Sequence, residues 1–430
     1  MRCRFAMTTS SASPELPKRA SAPKHENILA IFISLLVAGA AVGGYVIGRK
    51  ATQDAFIKKV IAQPGSQPGT ALLSAGTAPM SLLQFHEKRL KDPLMAAAWA
   101  KAYGVPPGNR AALFERLRKI PWMPPYQPAP FLGHVARPYS GDELHINALG
   151  FRDQRTSYSD KPKGTIRIFM TGGSVAYGMG ASSEAHTIPS VLQRILNEEA
   201  GKTTGYRYEV VNTAFPGWST TQEKILVQQR LVDLRPDIVL MFSGSNDVYW
   251  SYRGRDIRSF YTQMDQNFIT LFNEAYKFSG HSEWAIGFPH IDQPIEGGNL
   301  ARVTARNVDE VAAATARVNA RVIFVLQPNI LSTTKRLSQF EQKVFQNHNK
   351  SYWDSGYEAL RGELSRITAS NYRLVDLSRS FGSFDENTEL FIDSYHFVDS
   401  GHHLVAQDLA AEILRDTNLP SAPLPEQVGH

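Results

Sequence analysis

From Thr165 onward short apolar runs alternate with amphipathic stretches, and this alternation restricts the possible folds more than any other feature of the chain. The apolar runs are IRIFMTG, YEVVNTAF, DIVLMFSG, RVIFVLQ and YRLVDLS. Helical spacing marks IPSVLQRILNEEA, TTQEKILVQQRLV, NVDEVAAATARVNA, a long stretch around QKVFQNHNKSYWDSGYEALRGELSRI, and SGHHLVAQDLAAEIL. Near-continuous apolar strands separated by helices predict an α/β fold whose parallel sheet is covered on both faces. Ligands of such open sheets bind at the carboxyl ends of the strands. One insertion, residues 248–303, interrupts the pattern. It is rich in aromatic residues, from Tyr249 and Trp250 to Trp284 and Phe288, and is expected to form a lid or substrate wall.

With 43% hydrophobic and 20% charged residues, a chain of 430 residues is not globally disordered and has room for one large domain plus accessory segments. The net charge of +6 is concentrated in part in the first fifty residues. No basic stripe interleaved with aromatics follows, so nucleic acid is not an expected partner. A single cysteine, Cys3, excludes an intramolecular disulfide and a thiolate zinc cluster.

Ahead of the alternating region the chain divides by composition. Residues 1–26 are polar and read as a disordered cytoplasmic tail. Residues 27–48 read as a transmembrane helix, because the run from Ile28 to Gly48 holds no charge and is long enough to cross a bilayer. A cleaved signal peptide is the rival, with Ala38-Gly39-Ala40 as its cleavage site. Arg2, Arg4, Lys18, Arg19 and Lys24 precede the run, and Arg49, Lys50, Lys58 and Lys59 follow it. That slight excess favours an amino terminus inside and the main body outside. A linker is expected over 49–80 and an accessory segment over 81–150, with helical patterns in SLLQFHEKRLKDPLMAAAWAKAYG and NRAALFERLRKI before the Pro-rich PWMPPYQPAP. The main domain then spans 151–418, and a tail closes the chain at 419–430.

Four blocks carry candidate chemistry, and they follow one another in order: Ser174 in TGGSVAYG, Gly217 in NTAFPGWST, Asn246 in SGSNDVYW, and Asp393 with His396 in IDSYHF. Taken singly they read as a Gly-Gly-Ser turn, a strand-to-helix turn, an Asn turn and a core histidine. Taken together they supply what acyl transfer needs: a nucleophile, oxyanion donors and an oriented base. Ser174, Gly217 and Asn246 fall at the carboxyl ends of expected strands. Three-residue spacing lets one loop present both Asp393 and His396, so the carboxylate can hold the imidazole tautomer. Asp247 is expected to brace its loop. His402 is the substitute base, although both it and His403 read as the start of a helix. A metal site built from Asp393, His396, Asp399, His402 and His403 would leave the Ser, Gly and Asn blocks unexplained, and no His-Glu-x-x-His helix occurs.

The ordered set resembles the SGNH hydrolase superfamily, or GDSL-type esterases and lipases, over Thr165 to Leu414. The preceding HINALGFRD is similar to a lead-in segment common in membrane-anchored bacterial members of that group. The resemblance implies a flavodoxin-like three-layer α/β/α fold and hydrolysis of esters, including acetyl groups on sugars, with no cofactor or metal. It makes Ser174, Asp393 and His396 catalytic and assigns the oxyanion hole to Ser174, Gly217 and Asn246. The chain departs from the family's Gly-Asp-Ser by carrying Gly173 in place of Asp. The expectation is a serine esterase of the bacterial inner membrane, its catalytic domain periplasmic, acting on O-acetylated envelope or exported polysaccharide. An O-acyltransferase using the same site and a non-catalytic glycan-binding subunit are the alternatives. Tyr249 and Trp250, next to Asp247, are the best candidates for substrate contact.

Overall fold

A computed structural model describes residues 78–129, 131–201, 205–259, 294–346 and 348–415. The tail and span expected over 1–48, the linker up to residue 77, most of the insertion and the C-terminal tail lie outside them. Among the described residues no helix is long and apolar enough to cross a membrane.

The five apolar runs form one parallel sheet from β7 (Thr165–Gly172), β8 (Arg207–Asn212), β9 (Ile238–Ser243), β10 (Arg321–Leu326) and β11 (Tyr372–Asp376), in the order β11-β10-β9-β7-β8. Every residue of β7 and β9 is buried, as strands covered on both faces require. Counted from β7, the order is 2-1-3-4-5, the flavodoxin-like arrangement, whose direction reverses between β7 and β9. Helix Gly297–Ala316 packs on both Thr220–Gln229 and Lys350–Leu364, while Ile188–Ile195 packs on Asp399–Leu414. Right-handed crossovers put these two groups on opposite faces of the sheet.

Two helices depart from expectation. The long stretch around residues 342–367 is broken into Gln339–Phe345 and Lys350–Leu364, because the Asn349 side chain accepts from the Tyr352 amide and starts a new helix. The helix expected over 307–320 starts earlier, at Gly297.

The accessory segment is not purely helical. Besides Leu82–His86, Pro93–Ala102 and Arg110–Lys119 it forms three antiparallel pairs: β1 (Met80–Ser81) with β2 (Pro121–Met123), β3 (Tyr126–Ala129) with β4 (Gly133–Ala136), and β5 (Tyr139–Gly141) with β6 (Leu144–Ile146). Its Pro-rich stretch cannot continue a helix but suits short two-stranded pairs with open edges. Segment and sheet belong to one compact unit. Trp99, Leu117 and Trp122 join the same buried core as the strands.

Candidate active site

Ser174 begins the short helix Ser174–Tyr177 directly after β7, so its amide has no intrahelical partner. The helix end is held by the lead-in segment and by β8: Arg152 Nη1 and Asn212 Nδ2 each donate to the Tyr177 carbonyl, both at 3.0 Å. The block bearing Asp393 and His396 lies between β11 and the last helix, as expected. His396 Nε2 is 2.8 Å from Ser174 Oγ, and His396 Nδ1 is 2.7 Å from Asp393 Oδ2. The Asp393 carboxylate also accepts from the amides of Tyr395 and His396, each at 2.9 Å, which fixes the loop around it. Burial acts to raise the Asp393 pKa, but the charge and hydrogen bond of His396 outweigh it and hold the carboxyl well below the usual range. The structure thus unites Ser174, His396 and Asp393 across 222 residues of sequence separation.

Gly217 and Asn246 line the same cleft as Ser174. Gly217 has φ +85°, which a side chain would strain, and its amide donates no hydrogen bond among the described residues. Asn246 Nδ2 donates to the Trp218 carbonyl at 2.6 Å, which orients the amide and leaves its second N–H available. The departure at Gly173 has a physical reason here: a Cβ at that position would lie 2.1 Å from Asn246 Nδ2. Asp247 is fully buried and accepts from the Thr220 amide, Thr220 Oγ1 and Thr304 Oγ1, so it braces the loop. His402 is buried inside the last helix, where burial lowers its pKa to about 4, and Ser174 Oγ is bonded instead by His396.

What the sequence did not reveal is the contribution of the accessory segment. The cleft, about 960 Å³, is lined by Phe85, His86, Trp122 and Tyr126 from that segment as well as by Tyr249, Trp250 and Tyr395. The Trp122 ring meets the His396 ring edge to face at 4.8 Å, and the His86 ring meets Trp122 at 4.7 Å. Burial, with a smaller opposing pull from Asp393, lowers the His86 pKa to about 4, so a neutral ring packs behind the base. Trp99 Nε1 donates to the Ile392 carbonyl at 3.1 Å, and Trp218 Nε1 donates to the His134 carbonyl at 3.2 Å. One segment therefore braces the base loop and the oxyanion loop together. A tryptophan inside a Pro-rich stretch was the sole sequence signal for it. Among the described residues no group of three or more His, Cys, Asp or Glu is placed to hold a metal ion.

The GDSL-like lipase/acylhydrolase family matches residues 170–404, more than half of the chain, and the chain belongs to that family. It is a hydrolase acting on ester bonds. No curated protein matches it. Solved structures resemble it distantly. An α/β hydrolase from the metagenome of Lake Arreo is 16% identical, with 57% of this chain and 94% of that one covered and a TM-score of 0.37. A lipase/acylhydrolase from Enterococcus faecalis is 14% identical over 58% and 95%, with a TM-score of 0.37. An acetyl xylan esterase is 16% identical over 58% and 100%, with a TM-score of 0.36.

Proposed function

We propose that the chain is a serine esterase that removes acyl groups, acetyl first among them, from a carbohydrate. The observation that carries the reading is the continuous line from Ser174 Oγ through His396, at 2.8 Å, to Asp393, at 2.7 Å, in an open cleft. His396 Nε2 takes the Ser174 proton as Oγ attacks the ester carbonyl, while Asp393 holds Nδ1–H. The Ser174 and Gly217 amides and the Asn246 side chain receive the oxyanion. On collapse, His396 protonates the departing alcohol. Water, deprotonated by His396, then releases the acid and restores Ser174. A carbohydrate alcohol is supported by the aromatic lining from Phe85, Tyr126, Tyr249 and Trp250, whose faces suit the C–H faces of sugar rings.

The full chain is expected to hydrolyse p-nitrophenyl acetate, with Ser174→Ala and His396→Ala each lowering kcat/KM by about 10³-fold or more. Equal background rates in all three proteins would remove the triad reading. The uncharged run Ile28–Gly48 supports a bacterial inner-membrane enzyme with a periplasmic catalytic domain. A reporter active only in the periplasm, fused after His430, tests that placement, and a silent reporter overturns it.

A further inference from the structure

We propose that the outer wall of the cleft is a subsite for an anionic sugar, so that the ester cleaved at Ser174 sits on an acidic rather than a neutral carbohydrate. The inference deepens the esterase reading and rests on it for the position of the ester. The wall is formed where Leu82–His86 runs into the turn Arg89–Lys91, and it brings Phe85, Lys88 and Arg89 into the cleft lining. Phe85 is 54% exposed although its ring leans on Trp122 at 5.6 Å, leaving an aromatic surface open at the site.

The charges of the cleft do not balance. Asp393 is committed to His396, and Asp92 at the rim is paired with Lys343. His86 stays neutral and adds no charge. Lys88 and Arg89 also line the cleft, and neither side chain makes an ion pair or hydrogen bond with another described residue. Among the described residues, therefore, two lining cations are uncompensated and no lining carboxylate is. The charge of Arg89 reaches inward, being among the smaller causes that lower the His86 pKa, and His86 packs on the Trp122 that touches His396.

An aromatic platform flanked by uncompensated cations fits a sugar that carries an anion. The guanidinium fork of Arg89 and the ammonium of Lys88 pair with a carboxylate or a phosphate. A neutral polymer would stack on Phe85 but leave both cations unused.

The test uses the full chain with O-acetylated oligogalacturonate and O-acetylated xylo-oligosaccharide of equal length, while p-nitrophenyl acetate reports an intact site. The expected result is a kcat/KM ratio of about 10 or more in favour of the galacturonate, shrinking as salt rises from about 20 to 300 mM. Lys88→Glu with Arg89→Glu should lower that ratio about 30-fold, chiefly through KM, and Lys88→Gln with Arg89→Gln by less. A ratio near 1, or one unmoved by either pair of substitutions, overturns the subsite and leaves the esterase standing. If instead Ser174→Ala matches the wild type on every ester, the esterase reading fails, and binding still decides the subsite. Calorimetry of Ser174→Ala with polygalacturonate and with poly(ribitol phosphate) should show affinity for one of them that falls about 30-fold on charge reversal, the tighter ligand naming the anion. Absence of binding to both, or binding indifferent to the reversal, overturns it.

Discussion

The two sides of the cleft are built differently. The sheet side presents Ser174, Gly217 and Asn246 from the carboxyl ends of β7, β8 and β9, where backbone geometry fixes them. The accessory side adds no nucleophile or oxyanion donor. It supplies Trp99, Trp122 and His134, which hold the base loop and the oxyanion loop through ring contacts and single hydrogen bonds. Chemistry resides on the first side and alignment on the second. The two should therefore fail differently when cut: the sheet side in the chemical step with the fold intact, the accessory side in both at once.

The largest effect is expected where the sheet side is most crowded. If Asn246 is the oxyanion donor proposed above, Asn246→Ala should lower kcat about 10²- to 10³-fold with KM little changed. Gly173→Asp, which restores the family's usual residue, should not improve the enzyme. Its Cβ would meet Asn246 Nδ2 at 2.1 Å and push the donor from the Trp218 carbonyl, so kcat should fall toward that of Asn246→Ala. Steady-state kinetics on p-nitrophenyl acetate read both. A Gly173→Asp enzyme as fast as the wild type would show that Asn246 is not the donor.

This asymmetry also explains what could be read in advance. The strands were legible because their near-continuous apolar runs mark a parallel sheet covered on both faces, most fully at β7 and β9, where every residue is buried. The meeting of Ser174, His396 and Asp393 was legible because motif order and spacing point to it. Trp122 was not, since its role depends on a ring contact with a residue far along the chain. The break at Asn349 was missed because one cap competes locally with a long apolar period. The occlusion of position 173 was invisible until Asn246 was placed beside it.

A cut on the accessory side comes next in size. Trp122 is 1% exposed, and Trp122→Ala should cost about 3–5 kcal/mol of stability by opening a cavity behind His396. Because the His396 ring then loses its edge contact, kcat should also fall, by about 10- to 100-fold, and Trp122→Phe should recover most of it. Thermal unfolding and kcat measured on the same preparations separate the two losses. Lost stability with an unchanged kcat in the folded fraction would make the accessory segment mere packing and erase the contrast between the two sides.

The smallest effect on turnover is expected within the sheet side, and its test needs no substrate. Glu223 is fully buried beneath the strand ends, with Thr171 Oγ1 at 2.7 Å and Ser243 Oγ at 2.6 Å. Burial raises its pKa from 4.5 to about 8, against the opposing pull of those two hydroxyls. The folded protein therefore holds a proton that the unfolded chain releases above about pH 4.5, and the native state binds more protons from there to about pH 8. Its contribution to stability must fall as pH rises through that window. Glu223→Gln keeps the shape, cannot ionise, and should flatten this part of the pH dependence, so that the variant gains on the wild type between pH 5 and pH 9. Melting temperatures of both proteins across that range decide it. Parallel curves would mean that Glu223 keeps its charge beside Thr171 and Ser243, placing an uncompensated carboxylate directly under the oxyanion loops.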